Sequence, residues 1–330
     1  MKWILAVIVL GTILFLGGSF FIEPEFIEVS PEQFVEESPQ QTEKNQIKII
    51  LVGDIMLNRG VEYMVEKEGN GDFKFPFLKI ADYLKETDIV FGNLEGVISD
   101  KGTNVGSIYS FQANPKAVEG LTFASFNVLS LANNHAFDYS REALEDCLVK
   151  LSNAEISYVG AGFSESEAYS PVIKEIKGTK IGFLAYTNLG PETWQAAGEN
   201  SGIAWVSSDL SRAKDEIERA REKTDILIVS LHAGEEYQKM PSQFQIDFAK
   251  MAINAGADLV AGHHPHVTQS FEKYQDGYIA YSLGNFIFDQ SFSQETMESQ
   301  IIELLIEDKT IKEINLKEIK INEFFQPEIK

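Results

Sequence analysis

Five short apolar runs, each followed by Gly, Asn, Asp or His, restrict the fold of this chain more than any other feature. They are Ile47–Val52 before Gly53-Asp54, Asp88–Phe91 before Gly92-Asn93-Leu94-Glu95, Phe126–Leu131 before Asn133-Asn134-His135, Asp225–Leu231 before His232, and Asp258–Ala261 before Gly262 and a histidine cluster. Short continuous runs bounded by turn residues suit strands covered on both faces. Amphipathic stretches alternate with them. Ser208–Lys223 places Leu210, Ala213, Ile217 and Ala220 on one face, with Asp215 and Arg219 paired on another. Pro241–Ala255 turns Phe244, Phe248, Met251 and Ala255 inward and stops at Gly256. The alternation predicts an α/β fold. Lys180–Tyr186, Val267–Tyr274, Tyr278–Leu283, Gln300–Ile306 and Ile311–Ile319 read as further strands, with hairpin turns at Gln275-Asp276-Gly277 and Asp308-Lys309. These predict a second sheet packed on a first sheet made by the five runs.

All five histidines fall just after those runs: His135, His232, His263, His264 and His266. Histidines serving packing or surface polarity would scatter. In open α/β sheets ligands sit beyond the carboxyl ends of the strands, so the pattern predicts one shared site. Neutral imidazole is a common ligand of divalent transition metals, which points to a mononuclear or dinuclear metal centre. Asp54 and Glu95 read as carboxylate ligands or as helix-start acids, and only the coincidence of several strand ends favours ligands. Asn134 offers a carbonyl to a cation, with His135 aimed at substrate and Asp138 orienting its imidazole. His264-Pro265-His266 clamps one ion or reaches two, while His263 points away. His232 is the remaining candidate ligand, with Glu235 or Glu236 accepting from its ring. Asn285 hydrogen-bonds nearby. A mixed Asp, Glu, Asn and His set suits Mn, Fe or Zn better than Ca or Mg, as one or two ions.

The formal charge of −22 excludes a general nucleic-acid binder, because neutralising phosphates takes Lys and Arg. Any anionic ligand must be held locally. The single cysteine, Cys147, rules out an internal disulfide and reads as a half-buried structural thiol. Residues 3–22, WILAVIVLGTILFLGGSFFI, carry no charge and have the length of a membrane-spanning helix. They predict a single-pass anchor with the body outside the cytoplasm; a cleaved signal peptide is the alternative. Residues 23–46, with three prolines, seven glutamates and one lysine, read as an extended disordered linker. The expected organisation is thus 1–22 anchor, 23–46 linker and 47–330 folded domain.

The motifs GDIMLNRGVE (53–62), FGNLEGVIS (91–99), LANNHAFDY (131–139), HAGEEY (232–237), GADLVAGHHPHV (256–267) and YSLGNFIFD (281–289) together resemble the CapA family of capsule-synthesis or poly-γ-glutamate biosynthesis proteins. They span nearly the whole body. The resemblance implies a two-sheet α/β/β/α sandwich of the calcineurin-like metallophosphoesterase type, behind one N-terminal transmembrane helix. It implies action on an anionic polymer such as poly-γ-glutamate, with capsule synthase or export subunits in the membrane as partners. It also implies that Asp54 and His266 bind a first metal, that Asn134, His232 and His264 bind a second, and that His135 is the general acid. Four positions depart from the wider pattern. Met56 replaces a histidine, and Asn93 or the shifted Glu95 replaces a bridging aspartate. Ser140 replaces a glycine, and Ala233 stands where tryptophan is frequent. Two functions remain open: a metal-dependent hydrolase or transferase, or a non-catalytic polymer-binding or export subunit.

Overall fold

The computed structural model describes residues 45–330; the expected anchor and all but the last two residues of the expected linker lie outside them. Two sheets form the centre. One runs, edge to edge, through Pro327–Ile329, Thr310–Ile321, Glu298–Glu307, Ile47–Ile55, Ile89–Leu94, Phe126–Ser130 and Ser157–Val159, with Asn285–Ile287 also paired to Ile47–Ile55. The other runs through Phe271–Tyr274, Gly277–Ala280, Leu259–His263, Ile226–His232, Thr179–Thr187 and Val172–Ile176.

The five runs do not share a sheet. Three join the first sheet and two the second, contrary to the sequence expectation. The reason is visible in the packing. Along Ile47–Ile55, side chains alternate between two apolar environments. Ile49 and Leu51 face Ile181, Phe183, Ile226 and Ile228 of the other sheet. Ile50 and Val52 face the opposite way, among Val61, Val65, Leu144 and Leu148 of the helices Arg59–Lys67 and Ser140–Asn153. Phe91 and Phe183 stack across the inter-sheet layer, centroids 5.5 Å apart. On the far side, Leu227, Val229 and Val260 pack against Ala213, Ile217, Phe248 and Ala252 of helices Ser211–Arg221 and Gln243–Asn254. The layers are therefore helix, sheet, sheet, helix.

Helix Gln243–Asn254 starts later than its apolar pattern suggested. Ser242 caps it and Gln245 returns a hydrogen bond to the cap, the capping box that Ser-x-x-Gln encodes. Gly256, at φ 109°, ends the chain's helical turn as expected. Asp308 and Lys309 both have positive φ in a two-residue hairpin turn. Cys147 is wholly rather than half buried. Its sulfur accepts the Ile98 N–H at 3.3 Å, and burial pushes the thiol up to about 12.

Candidate metal centre

The parallel strands of both sheets end on the same side of the molecule, and their ends are stitched together by backbone. Asp54 N–H donates to the Gly284 carbonyl at 3.0 Å. A Cβ on Gly53 would stand 1.9 Å from that same carbonyl oxygen, so only glycine permits the approach. Asp54 thus closes the first strand at a register break, opposite Asn93 on one side and Asn285 on the other.

Asp54 is wholly buried. Its Oδ1 accepts from Asn93 Nδ2 at 2.9 Å and its Oδ2 from the His264 backbone N–H at 3.1 Å. Burial alone would raise its carboxyl, but His263 and the neighbouring imidazoles outweigh that and hold it well below the usual range. Asp54 does not cap the helix beginning at Arg59, whose cap position is Asn58.

His263 is the first correction within the site. It does not point away: its Nδ1 lies 3.2 Å from Asp54 Oδ1, and its ring sits 6.4 Å from that of Phe91. His264 and His266 have φ of 95° and 58°. Leu259, Ala261 and His263 share the inter-sheet face of one strand, so alternation itself brings His263 inward, and the left-handed backbone begins only after it, at His264. Strain of this kind persists where surrounding structure imposes it, often at functional sites.

Asn93 Nδ2 also stands 3.1 Å from His232 Nδ1, while His232 Nε2 is 2.7 Å from Asn134 Oδ1. The His232 and His264 rings are 4.9 Å apart. Burial, followed by the charge of neighbouring imidazoles, pushes His232 well down and His264 down to about 3. Burial lowers His266 as well. All three are therefore held neutral, the form that binds metal. Asn285 Oδ1 contacts His266 Nδ1 at 2.9 Å, and Asn285 is itself held by Gln290 and the Thr296 carbonyl.

His135 Nδ1 lies 2.6 Å from Asp138 Oδ2. That oxygen also accepts the Phe111 N–H at 2.8 Å, and the Phe111 ring stacks on the imidazole at 3.9 Å. The other ring nitrogen, Nε2, faces Glu95 Oε1 at 3.6 Å. Ser140, just beyond, has φ 76°, a backbone conformation that favours glycine.

Glu95 is unsatisfied on both carboxylate oxygens: it is 1% exposed, and neither oxygen has a hydrogen-bond partner. His266 Nε2 is 3.6 Å from its Oε1, as His135 Nε2 is. Burial and then the charges of Asp54, Glu236 and Asp138 push its carboxyl well up. Two sets of three ligand atoms converge here: Asp54, Glu95 and His266, all buried, and Glu236, His264 and His266 nearer the surface. An orphaned buried carboxylate beside neutral imidazoles is a donor set that fits a divalent cation.

Two participants escaped the sequence reading. Asn133 bridges the Asn93 side chain and the Leu94 carbonyl, and accepts the His135 N–H at 3.0 Å. Phe111 came with no motif at all. Glu236, rather than Glu235, belongs to a ligand cluster; Glu235 is exposed and shows no side-chain contact to the histidines. Met56 is no ligand: its sulfur turns back to the Asn58 N–H at 3.3 Å, inside the apolar core.

Fold and cluster together define a four-layer α/β/β/α protein with a histidine–carboxylate centre at the merged strand ends. The sequence profile of the bacterial capsule synthesis protein PGA_cap family matches residues 48–290, and the chain belongs to that family. Relatives include the capsule biosynthesis protein CapA of Bacillus anthracis, 33% identical over 85% of this chain and 69% of the relative. The PGA biosynthesis protein CapA of Bacillus subtilis is 32% identical over 76% of this chain and 66% of the relative, so the match spans about two thirds of each of these two relatives. Among solved structures, a phosphatase of Mycoplasma pneumoniae aligns with a TM-score of 0.49 at 16% identity, over 84% of this chain and 94% of that one.

Proposed function

We propose that this chain is a metal-dependent hydrolase or transferase of metallophosphoesterase type, working in the synthesis or export of an anionic capsule polymer such as poly-γ-glutamate. The Glu95 carboxylate carries the reading: it is wholly buried, unpartnered, and faces both His135 and His266. Asp54, Glu95, Asn134, His232, His264, His266 and Glu236 would hold one or two ions of Mn, Fe or Zn. A bound ion of this kind acidifies water and polarises an acyl or phosphoryl oxygen. Asp138 holds the His135 ring with Nδ1 toward itself, leaving Nε2 to give a proton to a leaving group. Phe111 shields that pair from water. Relatives named for capsule and PGA biosynthesis support the polymer as the biological context.

The uncharged run of residues 3–22 supports placing the chain at the cell membrane with its body outside the cytoplasm, beside membrane subunits of a capsule synthase or exporter. Among the described residues no helix is long and apolar enough to cross a membrane.

A second reading has its own support. Met56 faces the core and Asn93 presents an amide nitrogen to Asp54, so two positions that bind metal in the wider pattern do not serve here. A non-catalytic polymer-holding subunit would tolerate that loss. Elemental mass spectrometry on the full chain in detergent, with His264→Ala/His266→Ala as control, separates the two. About two ions per chain, lost in the control, support the enzyme; one ion or none supports the binding subunit.

A further inference from the structure

We propose that Arg59 is an anion-recognising residue at the rim of this centre, poised to take a carboxylate or phosphate group of the substrate in a two-pronged hydrogen bond. The inference rests on the reading of the site as one that handles an anionic substrate. Arg59 heads the helix Arg59–Lys67 with φ 53°, a conformation unusual for a side chain of its size. Its guanidinium carbon stands 5.2 Å from the Phe111 ring centre and 5.5 Å from that of Tyr109. Phe111 in turn lies on His135, so one aromatic ring links the guanidinium to the imidazole. Aromatic contacts position a guanidinium while leaving its N–H edge free for a planar oxyanion.

The ionic partner of Arg59 is Asp289, with Oδ1 3.1 Å from Nη2. The alignment is poor: Asp289 Oδ1 is buried yet accepts no hydrogen bond. Asp289 does not need Arg59 to stay in place. Its Oδ2 accepts the Gly60 N–H at 2.9 Å, and a Cβ on Gly60 would meet Asp289 Cβ at 2.7 Å. The carboxylate is thus packed onto the first helical turn by backbone alone. The Arg59 side chain is 36% exposed and open to solvent-borne anions. A better-aligned carboxylate or phosphate exchanges two charge-assisted hydrogen bonds for one loose contact. The need for such a group follows from charge. The chain carries −22 overall, and Asp54, Asp138 and Glu236 cluster at the centre, so a cation at the rim favours the approach of an anionic substrate.

The test uses the full chain in detergent, loaded with Mn²⁺. Calorimetric titration with a γ-linked glutamate decapeptide forms one arm, and titration with inorganic phosphate the other. Arg59→Gln is expected to weaken binding of one anion by about ten- to a hundredfold. Arg59→Lys should recover only part of it, and Asp289→Asn should tighten it by removing the internal competitor. Metal content should stay unchanged throughout. A loss in the peptide arm assigns the group to a carboxylate, and a loss in the phosphate arm assigns it to a phosphate. Unchanged binding with lowered thermal stability in both Arg59→Gln and Asp289→Asn would make the pair structural and overturn the proposal. Should Arg59→Gln not fold, unchanged affinity in Arg59→Lys and Asp289→Asn overturns it equally. Wild-type chain that binds neither anion also overturns it, while the metal count on the same samples reports separately on the metal centre.

Discussion

Asp146 and Glu95 are both carboxylates withdrawn from water, with 6% and 0% of their side chains exposed, yet the fold surrounds them differently. Asp146 accepts from Ser99 Oγ at 2.7 Å and from the Lys101 and Lys150 ammonium groups at 2.9 Å each. Burial would raise its carboxyl, but those donors bring it down to about 2. Glu95 has no donor within hydrogen-bonding distance and three acids pushing against it. A buried charge without a partner costs several kcal/mol, on the order of 3–5 when a pair is broken. A fold retains such a group where a proton or a cation completes it. The first acid clips the segment after residue 98 to the helix Ser140–Asn153; the second is a ligand in waiting.

The comparison breaks most sharply at His266, which belongs to both three-ligand clusters. His266→Ala should drop bound metal to background by elemental mass spectrometry, whereas Asp146→Ala should leave it intact. Equal metal loss in the two would erase the distinction. His135→Ala comes next. It should keep its metal while turnover of a responsive phosphoester or polymer substrate falls about 10²–10⁴-fold, the usual weight of a general acid.

Asp146→Ala should cost stability without touching metal. Its lysines return to water, so the loss is about 2 kcal/mol, read as a lower urea midpoint at constant slope. The same acid sets a pH signature. Its folded value lies below its ordinary 3.8, so its contribution is present above that value and is lost as pH falls toward about 2. Thermal scans between pH 5 and pH 2 should show this decline in the wild type and a flatter one in Asp146→Asn. The smallest effect belongs to Glu95→Gln. Its carboxyl is raised in the folded chain, so ionisation opposes folding once pH exceeds the ordinary 4.5. In EDTA at pH 8 the amide should stabilise the chain by about 1 kcal/mol. A destabilised Glu95→Gln would show that Glu95 has a protein partner after all.

Much of the site was legible because ligand-type residues follow apolar runs, and strand ends gather ligands whatever the sheet order. Asp54, Asn134, His135, His232, His264 and His266 were named from that rule and lie together in the structure. The division of strands between sheets was not legible. A strand buried on both faces shows no alternation, so nothing in Ile226–His232 distinguishes its sheet from that of Ile47–Ile55. The direction of His263 was hidden for another reason. Alternation puts it on the same face as Leu259 and Ala261, but which face of that strand meets the other sheet is decided by packing. Phe111 and Asn133 contribute through contacts remote in sequence from the residues they serve, and no local period encodes those.

By itself, then, the sequence determined the alternation of strands and helices, the site at the strand ends and the neutral and acidic ligand types, because burial and spacing follow local chemistry. Only the tertiary structure decided which sheet each strand joins, that Met56 turns to the core, that Asp146 is satisfied and that Glu95 is not. Those outcomes depend on which groups the packed layers bring within about 3 Å of one another, the range over which a hydrogen bond forms or fails.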